Sequence, residues 1–305
     1  MEKMKKMLVT GGTVFVSRYI AQYYIRKGFD VHVLNRNTRT QPEGAKLIEA
    51  DRHDLGDKLR KTHFDVVIDT GYTSQDVELL LDALESYDDY IFISSSAVYP
   101  EYAPQPFQEE TQLGVNKYWG DYGTNKIKAE EALMKRNPKA YILRPPYLYG
   151  PMNNVYREAF VFDCALADRK FYLPRKGEMK LQFFHVHDLC RFIDVLLEQK
   201  PSCHIFNVGN PEAVSVREWV ELCYGVVGKQ VQFVNVYDDV DQRNYFSFYN
   251  YEYELNVSKQ RQFMPDTKSL HDGLKEAFDW YRNNSDKVNK KPYFDYIDKN
   301  LWVVL

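Results

Sequence analysis

Tyr122 and Lys126 lie four residues apart in DYGTNKIKAEEAL, a segment of good helix formers, so both side chains are expected on one helix face. A phenol beside a cation is the chemistry of a proton donor and acceptor, because a nearby positive charge brings a phenolate within reach of neutral pH. The spacing alone is common: among 24 tyrosines it recurs at Tyr23/Lys27 and Tyr172/Lys176. Chain order singles out Tyr122. A run ending Ile93-Ser94-Ser95-Ser96 comes shortly before it and would set a hydroxyl at the carboxyl edge of a sheet, where open α/β folds bind ligands.

Thr10 to Ser17, TGGTVFVS, follows an apolar run and opens a helical stretch, where backbone N–H groups and a helix N-terminus can hold a pyrophosphate. Against G-x-x-G-x-x-G only Gly11 is in register. Gly12 lies beside the pattern, and Val14 and Ser17 take the other two places, so a tight turn without a ligand stays open as an alternative. The next run ends Leu34-Asn35-Arg36-Asn37-Thr38-Arg39, with no carboxylate for a ribose 2′-hydroxyl. Asn35 can meet a ribose, and Arg36 and Arg39 can neutralise a 2′-phosphate, which favours NADP with NAD as the alternative; the other reading is a solvated basic loop. Asp51 can accept from an adenine amino group or serve a turn, and Arg52 beside it can likewise serve a turn.

The elements that must position these residues follow from the order of apolar runs. Met7–Thr10, Val31–Leu34, Leu47–Ala50, Val66–Asp69, Ile91–Ser94 and Tyr141–Leu143 alternate with helical stretches, a rhythm that implies a doubly wound parallel sheet of Rossmann type. Val16, Ile20, Tyr23 and Tyr24 recur at helical spacing and Gly28 closes that helix. From Pro151 onward prolines punctuate shorter segments. The expected division is a dinucleotide-binding domain over 1–150 and a smaller mixed α/β substrate region over 151–305, with segments near 183–208 returning to the first. The aromatic stretch Tyr245–Tyr253 reads as a partly buried strand or an inter-domain contact rather than a base-stacking platform, because Glu252 and Glu254 replace the lysines and arginines that a nucleic acid would want.

With 305 residues, 40 Lys and Arg against 43 Asp and Glu, and 44% hydrophobic residues, the composition is that of an ordinary globular protein. A net charge of −3 gives no support for phosphate-backbone binding. No stretch has the length of a signal peptide core or membrane span, so the expected location is cytoplasmic. Cys164, Cys190, Cys203 and Cys223 are widely spaced and read as buried thiols, with no metal site.

Several landmarks in order resemble one family nearly end to end, the extended short-chain dehydrogenase/reductases, or NAD-dependent epimerase/dehydratase family. FISSSAVYP resembles its serine strand, YGTNKIKAEEAL its Tyr-x-x-x-Lys helix, ILRPPYLYGP the strand closing its dinucleotide domain, and FFHVHDL and FNVGN its later landmarks. TGGTVF resembles the turn of its atypical branch, which includes isoflavone-reductase-like and chloroplast stem-loop-binding proteins. The resemblance implies Ser95, Tyr122 and Lys126 as catalytic residues, with Ser96 the close alternative to Ser95. It implies Gly11, Phe15 and Val16 at the pyrophosphate, Asp51 at the adenine, and Pro145 and Tyr147 beside a nicotinamide. Gly12, Thr13, Thr70, Gly71, Arg52 and Lys126 are counted with the cofactor contacts.

The same resemblance turns His185 and His187, which alternate like a ligand pair, into a strand running into a helix capped by Asp188. Ser96, Asn154, Arg157 and Arg191 are the expected substrate contacts; whether Arg144, Arg157 and Arg191 form ion pairs or meet a diphosphate stays open. The expected activity is NAD(P)-dependent hydride transfer at a carbohydrate or sugar-nucleotide-like small molecule, with a homodimer allowed. A dehydratase is disfavoured because Ser96-Ala97, not an acidic pair, follows Ser95. The rival reading is a catalytically weak cofactor-sensing or RNA-associated binding protein on the same fold.

Overall fold

The protein is described here by a computed structural model covering residues 4–237 and 239–301. In chain order the strands are β1 (Lys6–Thr10), β2 (Asp30–Asn35), β3 (Lys46–Glu49), β4 (His63–Asp69), β5 (Ser86–Ile93), β6 (Tyr141–Arg144), β7 (Tyr147–Tyr149), β8 (Phe171–Pro174), β9 (Lys180–Leu181), β10 (Phe183–His185), β11 (Ile205–Asn207), β12 (Val214–Ser215) and β13 (Phe233–Val236). The helices are α1 (Phe15–Arg26), α2 (Ser74–Ala83), α3 (Asp121–Arg136), α4 (Glu158–Leu166), α5 (Val186–Gln199), α6 (Val216–Val227), α7 (Ser258–Phe263), α8 (Leu270–Tyr281) and α9 (Tyr293–Asn300).

Seven strands form a parallel sheet in the order β11-β6-β5-β4-β1-β2-β3. Its two faces are dictated by alternation along each strand. Met7 and Val9 of β1 face the core under α1 and α5, while Leu8 faces the core under α2 and α3. Because both faces are covered, the strands are continuous apolar runs. The chain winds outward from β1 in one direction and from β4 in the other, so the loops after β1 and β4 part and leave a crevice at their carboxyl ends. Thr70 stitches the two loop bases together: its N–H donates to Thr10 Oγ1 at 2.8 Å and its hydroxyl to the Thr10 carbonyl at 3.0 Å.

A third core, rich in rings, joins β7 to β10, α4, α6 and α8. The Tyr245–Tyr253 segment belongs to it but is not a strand. Gln242 turns the backbone there, accepting from Phe246 N–H through its carbonyl and donating to the Phe248 carbonyl from its side chain, so the rings fan inward instead of alternating. Phe248 packs edge-on to Tyr147 of β7 and Trp219 of α6, which places the segment within the ring-rich core.

Two further expectations need correction. His185, not Asp188, caps α5, its side chain accepting from His187 N–H at 3.2 Å; Asp188 sits in the first turn and accepts from Lys268 N–H at 2.6 Å and from Arg191 at 2.8 Å. Cys203 is only half-buried, unlike Cys164, Cys190 and Cys223. No helix among the described residues is long and apolar enough to cross a membrane.

Candidate active site

A cavity of about 600 Å³ opens at the carboxyl edge of the sheet, lined from the β1 turn (Gly11 to Ser17) through Ser94, Ser95, Ser96, Tyr122 and Lys126 to Asn154, Arg157 and Arg243. At its first end α1 starts with Val14 as N-cap, without a side-chain cap and without a carboxylate in its first turn. Its leading N–H groups and positive helix end therefore stay available to an anion. Gly11 stands at φ +83°, and a Cβ there would approach Ser17 Oγ at 3.1 Å and fill the cradle. The Ser17 hydroxyl is itself folded back, donating to the Val14 carbonyl at 3.0 Å. This end fits a dinucleotide's pyrophosphate despite the missing glycines.

At the far end, α3 is pressed onto the short 3-10 turn Ser96–Val98 that follows β5. Gly123 makes that approach possible, since a Cβ there would stand 2.3 Å from the Ala97 carbonyl oxygen. Tyr122, one residue earlier, is thereby brought to Ser95. Ser95 Oγ accepts from Ala97 N–H at 3.2 Å, which leaves its own proton free to donate. Tyr122 is 39% exposed as a whole, yet desolvation raises its pKa, while a hydrogen bond with Ser95 and the charge of Arg157 pull it down.

Lys126 is buried, and burial lowers its pKa to about 8. Its Nζ donates to the carbonyls of Gly71 and Ile93, both at 2.7 Å, and lies 5.2 Å from the centre of the Tyr72 ring. Four residues further along α3, Glu130 accepts from Arg144 Nη2 at 2.6 Å and from the Ser94 hydroxyl, which ties the helix to the ends of β5 and β6. Arg144 thus sits in a buried ion pair and does not reach the cavity.

Of the other expected cofactor contacts, Gly11, Thr13, Phe15, Val16, Thr70, Pro145 and Tyr147 line this cavity. Gly12 packs against Val33 instead. The Asn35 amide donates to the Gly11 carbonyl at 2.7 Å, which braces the turn. Arg36 is exposed, its nearest carboxylate being Asp51 at 4.0 Å. Arg52 bonds Asp69 at 2.7 Å and lies over Gly71. Among the expected substrate contacts, Ser96, Asn154 and Arg157 line the cavity; Arg191 does not, because its guanidinium is held by Asp188 on α5.

Sequence reasoning missed Tyr72, Trp119, Arg243 and Tyr249, all in the cavity wall. The ring-rich run at 245–253 is the signal for Tyr249; nothing local marks Trp119 or Arg243. His185, weighed as a metal ligand, is wholly buried against Tyr149, and burial lowers its pKa to about 3.

Residues 7–209 match the model of the NAD dependent epimerase/dehydratase family. A chloroplast stem-loop binding protein of 41 kDa from Arabidopsis thaliana is 26% identical over 93% of this chain and 79% of its own length. A putative UDP-glucose 4-epimerase from Methanocaldococcus jannaschii is 24% identical over 92% of this chain and 99% of its own length. Among solved structures, UDP-glucuronic acid 4-epimerase from Bacillus cereus, bound to UDP-glucuronic acid and NAD, superposes with a TM-score of 0.71 at 20% identity over 91% of this chain and 99% of that one. The sheet order, the glycine turn at a helix end left uncapped and a match covering two thirds of the sequence agree: the chain belongs to the NAD dependent epimerase/dehydratase family.

Proposed function

We propose that this protein is an NAD(P)-dependent oxidoreductase or epimerase that interconverts a hydroxyl and a carbonyl on a carbohydrate, carried as a sugar nucleotide. The observation that carries the reading is the meeting of Ser95, Tyr122 and Lys126 in one cavity that begins at the glycine turn and ends among residues beyond Gly150. Relatives of the chain include proteins named as a GDP-L-fucose synthase and a putative UDP-glucose 4-epimerase, which supports the substrate class.

Gly11, Thr13 and the α1 N-terminus would hold the pyrophosphate of a nicotinamide dinucleotide and Pro145 and Tyr147 would lie toward its nicotinamide ring; when bound, the dinucleotide would supply the hydride acceptor. Among the described residues the one carboxylate within salt-bridge reach of Arg36 or Arg39 is Asp51, 4.0 Å from Arg36, and the two arginines favour NADP through a 2′-phosphate. Ser95 donates its free proton to the substrate oxygen and holds it in line. Tyr122 accepts the hydroxyl proton as the carbonyl forms and returns one in the reverse direction. Lys126 fixes the backbone of Gly71 and Ile93 on either side of the cavity floor.

An RNA-associated or purely cofactor-sensing role is not favoured, because the reacting groups are assembled and the net charge is negative. The test is to mix the protein with NADP or NAD and UDP- or GDP-hexoses and follow reduced nicotinamide by its near-ultraviolet absorbance. Tyr122→Phe should fold and bind cofactor normally while losing about a hundredfold or more in rate, the usual worth of acid–base catalysis. An unchanged rate removes Tyr122 from the mechanism.

A further inference from the structure

The amino end of the sheet, opposite the cavity, gathers three side chains of metal-ligating type. β4 begins at His63 and β5 at Ser86, and these two residues are level with one another in the parallel register. Asp65 and Asp88 come one step before the pair Val66 and Asp89 of the same register. One ligand atom from each of His63, Asp65 and Asp88 lies within 4.8 Å of the others. Two carboxylates on neighbouring strands repel each other, and among the described residues neither has a lysine or arginine within salt-bridge distance. The basic group they meet is the imidazole of His63, whose Nε2 is 3.4 Å from Asp88 Oδ2.

The groups around this cluster orient it as metal ligands are oriented. A histidine that binds a metal through one ring nitrogen almost always donates the other N–H to a fixed acceptor, which sets the tautomer. His63 Nδ1 is 2.9 Å from Ser86 Oγ, and with Nδ1 donating there the lone pair of Nε2 is left on the side of Asp88. Asp65 is held in the same manner. Its Oδ2 accepts from the Lys6 N–H of β1 at 2.6 Å, which leaves Oδ1 for a cation. The 3.4 Å between His63 Nε2 and Asp88 Oδ2 matches two ligand atoms each about 2.1 Å from one tetrahedral ion.

We propose that His63, Asp65 and Asp88 bind a divalent transition-metal ion of the zinc type, with solvent completing the coordination. An imidazole beside carboxylates suits zinc, whereas calcium and magnesium take oxygen ligands alone. β4 runs seven residues from His63 to Asp69, a span of about 20 Å, so the ion sits far from the reacting groups. Its part is that of a clip: the ligands come together only when β4 and β5 are paired, and binding therefore favours the folded chain.

The test adds zinc chloride alone to the full chain, first stripped with a chelator, and reads affinity by competition with a chromophoric zinc indicator. Neither substrate nor cofactor is needed, so the outcome is separate from that of the functional reading. His63→Ala and Asp88→Asn should each weaken zinc by about a hundredfold, and Ser86→Ala, which frees Nδ1, by about tenfold. His63 and Asp88 are exposed side chains, so far-ultraviolet circular dichroism of these variants should match wild type. His271→Ala removes an exposed histidine beside the single carboxylate of Asp272 and should leave the affinity unchanged. Saturating zinc should also raise the Tm of wild type and not that of His63→Ala. Equal affinity in wild type and His63→Ala, a loss in His271→Ala as large as in His63→Ala, or calcium binding as tightly as zinc overturns the proposal.

Discussion

Replacing Glu130 by glutamine keeps the shape of the side chain and removes only its charge. The consequences can be worked from the contacts. Arg144 is 3% exposed and Glu130 5%, with N–O distances of 3.0, 3.2 and 2.6 Å between them. The remaining donors of Arg144 go to Tyr99 Oη at 2.9 Å and the Glu109 carbonyl at 3.0 Å, neither of which carries a full charge. Glu130→Gln therefore leaves a buried guanidinium without its counter-ion, a change that typically costs about 3 to 5 kcal/mol. Against a total stability of about 5 to 15 kcal/mol, that is a large fraction. Urea unfolding followed by tryptophan fluorescence gives the number. The double variant Glu130→Met with Arg144→Met removes both charges and should recover most of the loss, because a pair replaced by apolar groups of similar volume is often neutral. A single variant within about 1 kcal/mol of wild type would refute the reasoning, as would a double variant no more stable than the single.

Lys126, with its pKa lowered from 10.5 to about 8 by burial, makes a second stability prediction. Below the folded value the ammonium is charged in both states and its full desolvation cost is present; above the unfolded value it is neutral in both and the cost is gone. Wild type should therefore gain stability relative to Lys126→Met between about pH 8 and pH 10.5, by up to about 3 kcal/mol, measured as the difference in urea midpoints across that window. A flat difference contradicts the buried-cation picture. Arg36→Ala should weaken NADP about tenfold or more and leave NAD unchanged by calorimetric titration, since a charge-assisted bond contributes about 1.5 to 3 kcal/mol; equal effects on both cofactors remove the 2′-phosphate from the argument.

The sheet is legible in the sequence because strands buried on both faces must be apolar runs, and Val66–Asp69 or Ile91–Ser94 admit no other placement between their helical neighbours. The convergence of Ser95, Tyr122 and Lys126 on the sheet's carboxyl edge follows from chain order in the same way. What cannot be read is where the charged side chains point. Arg144 is claimed by Glu130, Arg191 by Asp188, and Arg52 by Asp69. Arg157 is claimed by no carboxylate among the described residues. Each outcome is decided by how the chain packs around the arginine, which looks the same in the sequence either way. Lys126 makes the same point: its helix face is readable, but its choice of one carbonyl in the loop after β4 and another at the end of β5 is not. The 245–253 run misleads for a related reason, since aromatic content predicts burial and says nothing about whether a neighbouring strand will be there to pair with.

The outermost strand of the sheet has a consequence for how the chain is made and how it can be cut. β11 is contributed by residues 205–207, beyond the ring-rich segment that holds β7 to β10, yet it pairs along β6, and α5 covers α1 on the same face. While the chain is being synthesised, the first 150 residues must wait with β6 as an open edge and a bare apolar helix until some 60 more residues have followed. A fragment ending at Gly150 would be arrested in that state for good. It would offer an unpaired strand to other copies of itself, so the half that carries β1 to β6 cannot simply be excised from this protein and traded as a module.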